Sequence, residues 1–348
     1  MPTLWFVLLA FMLIMYVLLD GFDLGAGAIH LFAAKNEQER RTILRAIGPV
    51  WDGNEVWLIA AGGTLFFTFP LLYASSFSGF YLPLFIVLWL LMIRGVSIEL
   101  RSHINNPIWA SFWDGMFFIG SALLALVFGA ALANVMRGVP LDAHGNFFAP
   151  LWTNFSPSGP NPGVLDWYTI LIGLLALVLL TVHGANYIVV KTTGAVNGRA
   201  RRIARSLWLP LVILTAGGTI ATFSLRPSLF DSFNNRPWGY IFPLISIGGL
   251  LMLGYGHSKG WELGAFAASA ATILGLMAST AFGLYPDVLP AVTKANSLTI
   301  DNASASHYAL VVGLIWWLIA MVLAAIYFTI TYRLFRGKVR QDETAGGY

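Results

Sequence analysis

The chain has 348 residues, of which 57% are hydrophobic and only 10% charged, against roughly 25% Asp, Glu, Lys and Arg in a soluble domain. With a mean hydropathy of +0.73, that balance excludes disorder and a soluble Rossmann-type fold and makes lipid the chain's main solvent. The net charge of +4 and pI near 9.3 do not signal nucleic acid, because the basic residues sit in short loops between apolar runs.

A hydrocarbon core about 30 Å thick takes about 20 apolar residues in helical form, and runs of that length mark nine spans. The first covers residues 4–34 and is interrupted by Asp20 and Asp23. It lacks a basic leader and a small-residue cleavage site, so it reads as a retained span rather than a signal peptide. The uncharged stretch 56–93 is too long for one helix and breaks at residues 70–79 into spans two and three. Spans four to nine are expected at 115–136, 167–190, 206–225, 237–258, 263–286 and 307–332.

Sixteen of the 20 Lys and Arg lie in the loops after spans one, three, five and seven or in the C-terminal tail, and four lie on the other side. The positive-inside rule then puts the N-terminus outside and the C-terminus in the cytoplasm, an asymmetry that an even span count would scramble. Trp109, Trp113, Trp152, Trp167, Trp208, Trp238 and Trp261 fall at span ends and read as interface anchors. Span one ends in Asp20-Gly21-Phe22-Asp23 before a basic loop, and span five ends in His183-Gly184-Ala185-Asn186 before Lys191, Arg199, Arg201, Arg202 and Arg205. This faint echo suggests two four-helix units with a ninth helix appended. The expected fold is an all-α integral membrane protein of nine transmembrane helices, built as two four-helix bundles plus one peripheral helix. Its divisions are 1–136 for the first bundle, 137–166 for an outer loop, 167–286 for the second bundle, and 287–348 for an outer loop, the ninth helix and a cytoplasmic tail. The 137–166 loop, with Phe147, Phe148 and Trp152, is expected to pack on the rest of the molecule.

With no cysteine in the sequence, thiolate chemistry, iron–sulfur ligation and Cys-ligated zinc are excluded, and a metal would need His, Met, Asp or Glu. A carboxylate in a membrane costs about 2.5 to 3.5 kcal/mol on insertion scales, so one that persists needs a partner or a purpose. Asp20 and Asp23 stand three apart on span one, beside the small-xxx-small pair Gly21 and Gly25 that admits another helix closely. Span two opens with Gly48-Pro49-Val50-Trp51-Asp52-Gly53-Asn54-Glu55-Val56-Trp57, in which Asp52 and Glu55 are again three apart and Trp51 and Glu55 share a face. Both acid pairs fall in the cytoplasmic half. Arg94, Glu99, Arg101 and Asp114 extend the same polarised layer, although charges near helix ends also snorkel or pair at the interface. A one-sided chain of carboxylates suits proton delivery from the cytoplasm. His183 with Asn186 reads as a hydrogen-bonded packing residue, and Met12, Met15, Met136, Met252 and Met277 as filler.

The Asp20-Gly21-Phe22-Asp23-Leu24-Gly25 and Gly48-Pro49-Val50-Trp51-Asp52-Gly53-Asn54-Glu55-Val56-Trp57-Leu58 segments closely resemble subunit II of the cytochrome bd quinol oxidases, including the cyanide-insensitive branch. Phe77-Ser78-Gly79-Phe80-Tyr81, Arg94, Glu99-Leu100-Arg101-Ser102 and Trp113-Asp114 support the resemblance, which spans essentially the whole chain. It implies a partner, a subunit I holding two b-type haems and one d-type haem, with quinol oxidised at an outward-facing site. Subunit II itself then holds no haem. The complex would oxidise ubiquinol or menaquinol, reduce O2 to water and take the consumed protons from the cytoplasm, in an electrogenic reaction of the bacterial inner membrane.

The resemblance also carries residue roles. Asp52 and Asp23, with Trp51 and Trp57, would line a proton route at the subunit interface, supported by Asp20, Asn54 and Glu55. It leaves room for a structural quinone, for a small single-span subunit, and for a cation near Asp23 and Asp52, since facing carboxylates hold Na⁺ or share a proton equally well. The alternative readings are a proton- or cation-coupled secondary transporter, which should show broken helices in both halves, and a purely structural assembly subunit.

Overall fold

The computed structural model describes residues 1–339, so the final part of the expected tail lies outside the described residues. The hydrocarbon layer offers no water to satisfy backbone N–H and C=O groups, and each apolar run accordingly closes its own hydrogen bonds as a helix. Among the described residues twelve α-helices result: α1 (Pro2–Ala33), α2 (Glu37–Ile47), α3 (Trp51–Thr68), α4 (Pro70–Gly79), α5 (Tyr81–Leu100), α6 (Pro107–Arg137), α7 (Trp167–Lys191), α8 (Gly194–Leu225), α9 (Leu229–Asn235), α10 (Ile241–Lys259), α11 (Glu262–Leu284) and α12 (His307–Leu334). Among the described residues eight are individually long and apolar enough to cross a membrane, and α3 with α4 makes a ninth span if the pair, bent by 119°, is counted as one.

Several intervals differ from their expected form, α6 starting at Pro107 and α9 filling part of the segment after α8 among them. The basic segment after α1 is helix α2, started by Asn36, whose side chain accepts from the Glu39 N–H, and folded back so that Thr42, Ile43, Leu44, Ala46 and Ile47 are buried. The break at residues 70–79 is itself helical. Pro70 disfavours helix at Phe69 and then seats at the first position of α4. Helix α8 begins at Gly194, well before the apolar run it was expected to match, because its first turns carry Arg199, Arg201, Arg202 and Arg205 out of the lipid.

Helix α1 is the hub, packing against α3, α6, α7 and α11. Between lipid-embedded helices the attraction comes from close packing rather than from water, so small residues decide who touches whom. At the α1–α7 crossing a Cβ on Gly25 would lie 1.9 Å from the Leu180 carbonyl oxygen and 2.8 Å from the Gly184 backbone. Gly25→Ala must therefore push α1 off α7, at a cost of about 1–3 kcal/mol or more. The purified protein should melt at a clearly lower temperature, and an unaltered midpoint would mean that the seam has room.

At the end of the molecule away from most of the basic residues, the connecting segments fold onto one another. Strands β1 (Asp287–Leu289) and β2 (Leu298–Thr299) pair antiparallel, and Val139 bridges to Ala291. With Trp5, Phe69, Leu72, Phe147, Ala149, Val164 and Leu310 they bury a second apolar cluster. The Phe147 ring fills the space above Gly79, where a Cβ would come within 2.2 Å of it. The 137–166 segment thus packs on α4 as expected, while Phe148 and Trp152 stay exposed.

Candidate functional site

Asp20 and Asp23 leave α1 on adjoining faces and meet different fates. Asp20 is fully buried and takes both guanidinium ends of Arg94 from α5: Nη1 donates to Oδ2 at 2.7 Å, and Nη2 donates to Oδ1. Both side chains are 0% exposed, so the two charges neutralise each other inside the bundle. Gly120 of α6 lets α5 come close at this level, since a Cβ there would sit 3.2 Å from the Arg94 backbone nitrogen.

Asp23 is equally buried but forms no ion pair among the described residues. Its Oδ2 accepts from Asn54 Nδ2 at 2.7 Å, and its Oδ1 has no partner. Asn54 Nδ2 also donates to the Leu19 carbonyl at 3.3 Å, and Asn54 Oδ1 accepts from Tyr332 on α12 at 2.9 Å. Every polar atom of the Asn54 amide is thereby engaged in the orientation that aims its N–H at the carboxyl. The free Oδ1 of Asp23 can take up and release a proton without breaking a hydrogen bond.

Because Asn54 points at Asp23, Asp52 lies about 200° away around α3 and faces outward, and it is exposed. The two acids that the sequence placed together thus differ in setting, Asp23 buried and Asp52 exposed. Glu55 is half-buried and within electrostatic reach of Asp20 and Asp52 and of Asp23. Trp51 and Trp57 are buried with their indole N–H groups unpartnered. Trp51 packs toward Gly95 of α5, and Trp57 stacks on Phe328 of α12 at 5.7 Å.

Beyond Asp23 toward the basic end lies a second ionic cluster. Asp114 of α6 accepts from Arg101 Nε at 2.6 Å and from Arg40 at 2.8 Å, and its Oδ1 lies 2.6 Å from His30 Nε2. Arg101 also donates to both oxygens of Glu37, at 3.0 and 2.7 Å. One carboxylate thus ties α1, α2 and the end of α5 to α6, and Arg101, expected near a membrane surface, is only 2% exposed. The hydrogen bond from Arg101, more than that from Arg41, pulls the Glu37 carboxyl from 4.5 to about 2 against the opposing effect of burial.

A carboxyl whose value is depressed on folding stabilises above its unfolded value, and loses that contribution as pH falls through the folded one. The difference in melting temperature between wild type and Glu37→Gln should therefore hold steady above about pH 4.5 and close toward pH 2. It should be small, because a half-exposed pair contributes about 1 kcal/mol or less. A gap that persists at pH 2 would contradict the assignment.

Of the three histidines buried within the spans, His183 has both ring nitrogens engaged. His183 has Nδ1 at 2.7 Å from Ser269 and Nε2 at 3.0 Å from the Leu18 carbonyl. His257 Nε2 meets Asn186 Oδ1 at 3.0 Å, and His30 faces Asp114. The Nδ1 atoms of His30 and His257 are buried without a partner. Among the described residues no group of three or more His, Asp or Glu side chains could hold a metal ion. An apolar cavity of about 430 Å³ between α3 and α12, lined by Met12, Gly63, Thr64, Phe67, Trp317 and Met321 among others, has no charged wall and suits a hydrocarbon chain.

Sequence reasoning missed His30, Glu37, Arg40 and Tyr332. His30 lies seven residues from Asp23, hence on the same stripe of α1, which was a readable signal. Tyr332 had none, since its partner is 278 residues away.

Comparison with known proteins gives a consistent result. Residues 1–335 match the family model described as cytochrome bd terminal oxidase subunit II. The probable cytochrome oxidase subunit 2 of Haemophilus influenzae is 34% identical, over 96% of this chain and 94% of its own. The cytochrome bd ubiquinol oxidase subunit 2 of Bacillus subtilis is 34% identical over 88% and 87%, and the cytochrome bd-I ubiquinol oxidase subunit 2 of Escherichia coli is 31% identical over 92% and 90%. A chain of the bd oxidase from Geobacillus thermodenitrificans has the same fold, with a TM-score of 0.72 at 17% identity over 96% of this chain and 98% of that one.

Proposed function

This chain belongs to the cytochrome bd terminal oxidase subunit II family, and from that membership we propose that it stabilises a haem-bearing subunit I and delivers protons to it from the cytoplasm. It is a multi-pass protein of the bacterial plasma membrane and a component of a respiratory quinol oxidase complex. The haems, which we place on subunit I, supply electron transfer and oxygen reduction. Each O2 reduced to two waters consumes four electrons and four protons, and the protons are where this chain's own residues enter.

In this reading the basic end of the helices faces the cytoplasm, in keeping with the positive-inside rule. Asp52, exposed at the first turn of α3, takes protons at the mouth of the route. Glu55 relays them, and Asp23 holds one at its free Oδ1 while Asn54 steadies Oδ2. Trp51 and Trp57 line the passage and exclude bulk water. Asp20, tied up by Arg94, supports the site as structure. The division into two four-helix bundles with an appended helix belongs to the same proposal, and α12, which packs mainly on α3, is in keeping with it. So does the ubiquinol or menaquinol substrate, with a structural quinone and a small single-span subunit as further companions.

The observation that carries the reading is a fully buried carboxyl that forms no ion pair among the described residues and has one oxygen fixed and the other free. A secondary transporter would call for interrupted helices in both halves. Among the described residues the one sharply broken span, α3–α4, lies in the first half, and α8 runs unbroken through Pro210. The test of assembly is to purify the chain from its native membrane and record a reduced-minus-oxidised spectrum. Haem b and d bands from a co-purifying larger subunit are expected, and a haem-free preparation of intact complex would refute the proposal.

A further inference from the structure

Helix α12 is the most exposed of the long helices, with Trp316, Leu318, Val322, Leu323, Ile326 and Ile330 all open. It is nevertheless fastened near its start, where Trp5 Nε1 donates to the Leu310 carbonyl at 3.1 Å and Phe67 of α3 covers Gly313, and again to α3 near its end. Tyr327 covers Gly53, where a Cβ would fall 2.7 Å from its hydroxyl oxygen. Phe328 stacks on Trp57, and Tyr332 donates to Asn54. Just past this stretch the chain is also fastened to the other half of the molecule. Lys338 Nζ donates to the Thr192 carbonyl at 3.0 Å and to Glu262 Oε2 at 2.7 Å, joining Asn197 Nδ2 on that carbonyl at the end of α7. Lys191 Nζ returns a bond to the Phe335 carbonyl at 2.6 Å, and the Val339 N–H donates to the Lys191 carbonyl at 2.7 Å.

We propose that Tyr332 is a positioning residue for Asp23, acting through Asn54, and that the 335–339 segment is a latch that holds α12 in register for that purpose. The inference rests on the reading of Asp23 as a proton-carrying group. The chemistry is that of the amide. Asn54 Oδ1 can only accept and Nδ2 can only donate. With Tyr332 donating to Oδ1, the side chain is held at both ends and its N–H stays on Asp23 Oδ2. Without the hydroxyl, Oδ1 is left buried and unpaired. The amide then has reason to rotate toward any other donor, taking its N–H off the carboxyl. Tyr332 is the α12 side chain that donates to Asn54, so the most exposed of the long helices fixes the geometry of a fully buried acid.

The test uses the purified oxidase complex carrying Tyr332→Phe, which keeps the ring on Phe328 and removes only the hydroxyl. Its turnover at saturating quinol should fall about threefold to tenfold with KM for quinol unchanged, the size expected from one hydrogen bond lost at a working group. The infrared band of the Asp23 carboxyl, identified by its loss in Asp23→Asn, should shift. Lys338→Met, remote from the cluster, should move the same band in the same direction by less, and it serves as the readout should Tyr332→Phe fail to assemble. An unshifted band or an unchanged turnover in Tyr332→Phe overturns the inference. Full activity in Asp23→Asn would instead overturn the proton-route reading, while the band alone would still decide whether Tyr332 sets the carboxyl's hydrogen bonding.

Discussion

Arg94→Met is expected to leave the complex scarcely assembled, whereas Asp20→Leu combined with Arg94→Met should restore much of the yield. The two side chains are both fully buried and bonded end to end, so the pair is close to neutral as a unit. Removing one partner leaves an uncompensated charge in a medium that cannot solvate it, at a cost of about 3–5 kcal/mol. Against a total stability of roughly 5–15 kcal/mol, that is a large share. Replacing both with apolar residues of similar volume removes the desolvation cost together with the attraction and is often neutral or better. The amount of complex recovered from equal quantities of membrane, and its melting temperature in detergent, distinguish the cases. If the double variant is as poor as the single one, the pair is not self-contained and Asp20 has a further role. If the double variant also turns over quinol normally, Asp20 is structural and the proton route runs without it.

Asp52→Asn should behave in the opposite way, assembling with full haem content yet losing most of its quinol oxidase activity, by about tenfold or more if proton transfer limits turnover. Asp52 is exposed at the start of α3 and enters no hydrogen bond or ion pair among the described residues, so an isosteric amide there should alter stability by only about 0.5 kcal/mol. Any loss of rate then reports the missing proton-binding group rather than a damaged fold. Oxygen uptake normalised to haem d is the measurement, and normal uptake would remove Asp52 from the route and leave Glu55 as its outermost member.

Much of the fold was legible because a membrane rewards one thing along the sequence, an apolar run of the right length. The spans beginning at Trp167 and His307 start where the helices start, and the Gly25 seam was visible as a small-residue pair. What escaped was structure set by contacts rather than by hydropathy. Helix α2 is short and charged on its outer face, so it looked like a loop, although Asn36 followed by Glu39 is a readable helix start. Strands β1 and β2 are too brief to carry a pattern. In the site, the acids announced themselves by their cost in lipid, but their partners did not. Arg94 reads as an end-of-span charge until α5 is laid against α1, and it then proves to be the counter-ion of Asp20. The three-residue spacing of Asp52 and Glu55 could not say which of them turns inward, because that is decided by Asn54 meeting Asp23. Tyr332 sits in an apolar helix that any reading would assign to lipid.

The most direct test of the account is the oxygen consumption of the purified complex carrying Asp23→Asn, at saturating quinol and with haem content matched to wild type. A carboxyl replaced by an amide keeps its size and its bond to Asn54 but can no longer carry a proton, and the account predicts a rate lowered by about tenfold or more. A matched complex that consumes oxygen at the wild-type rate would show that the buried, half-bonded acid on α1 is packing alone.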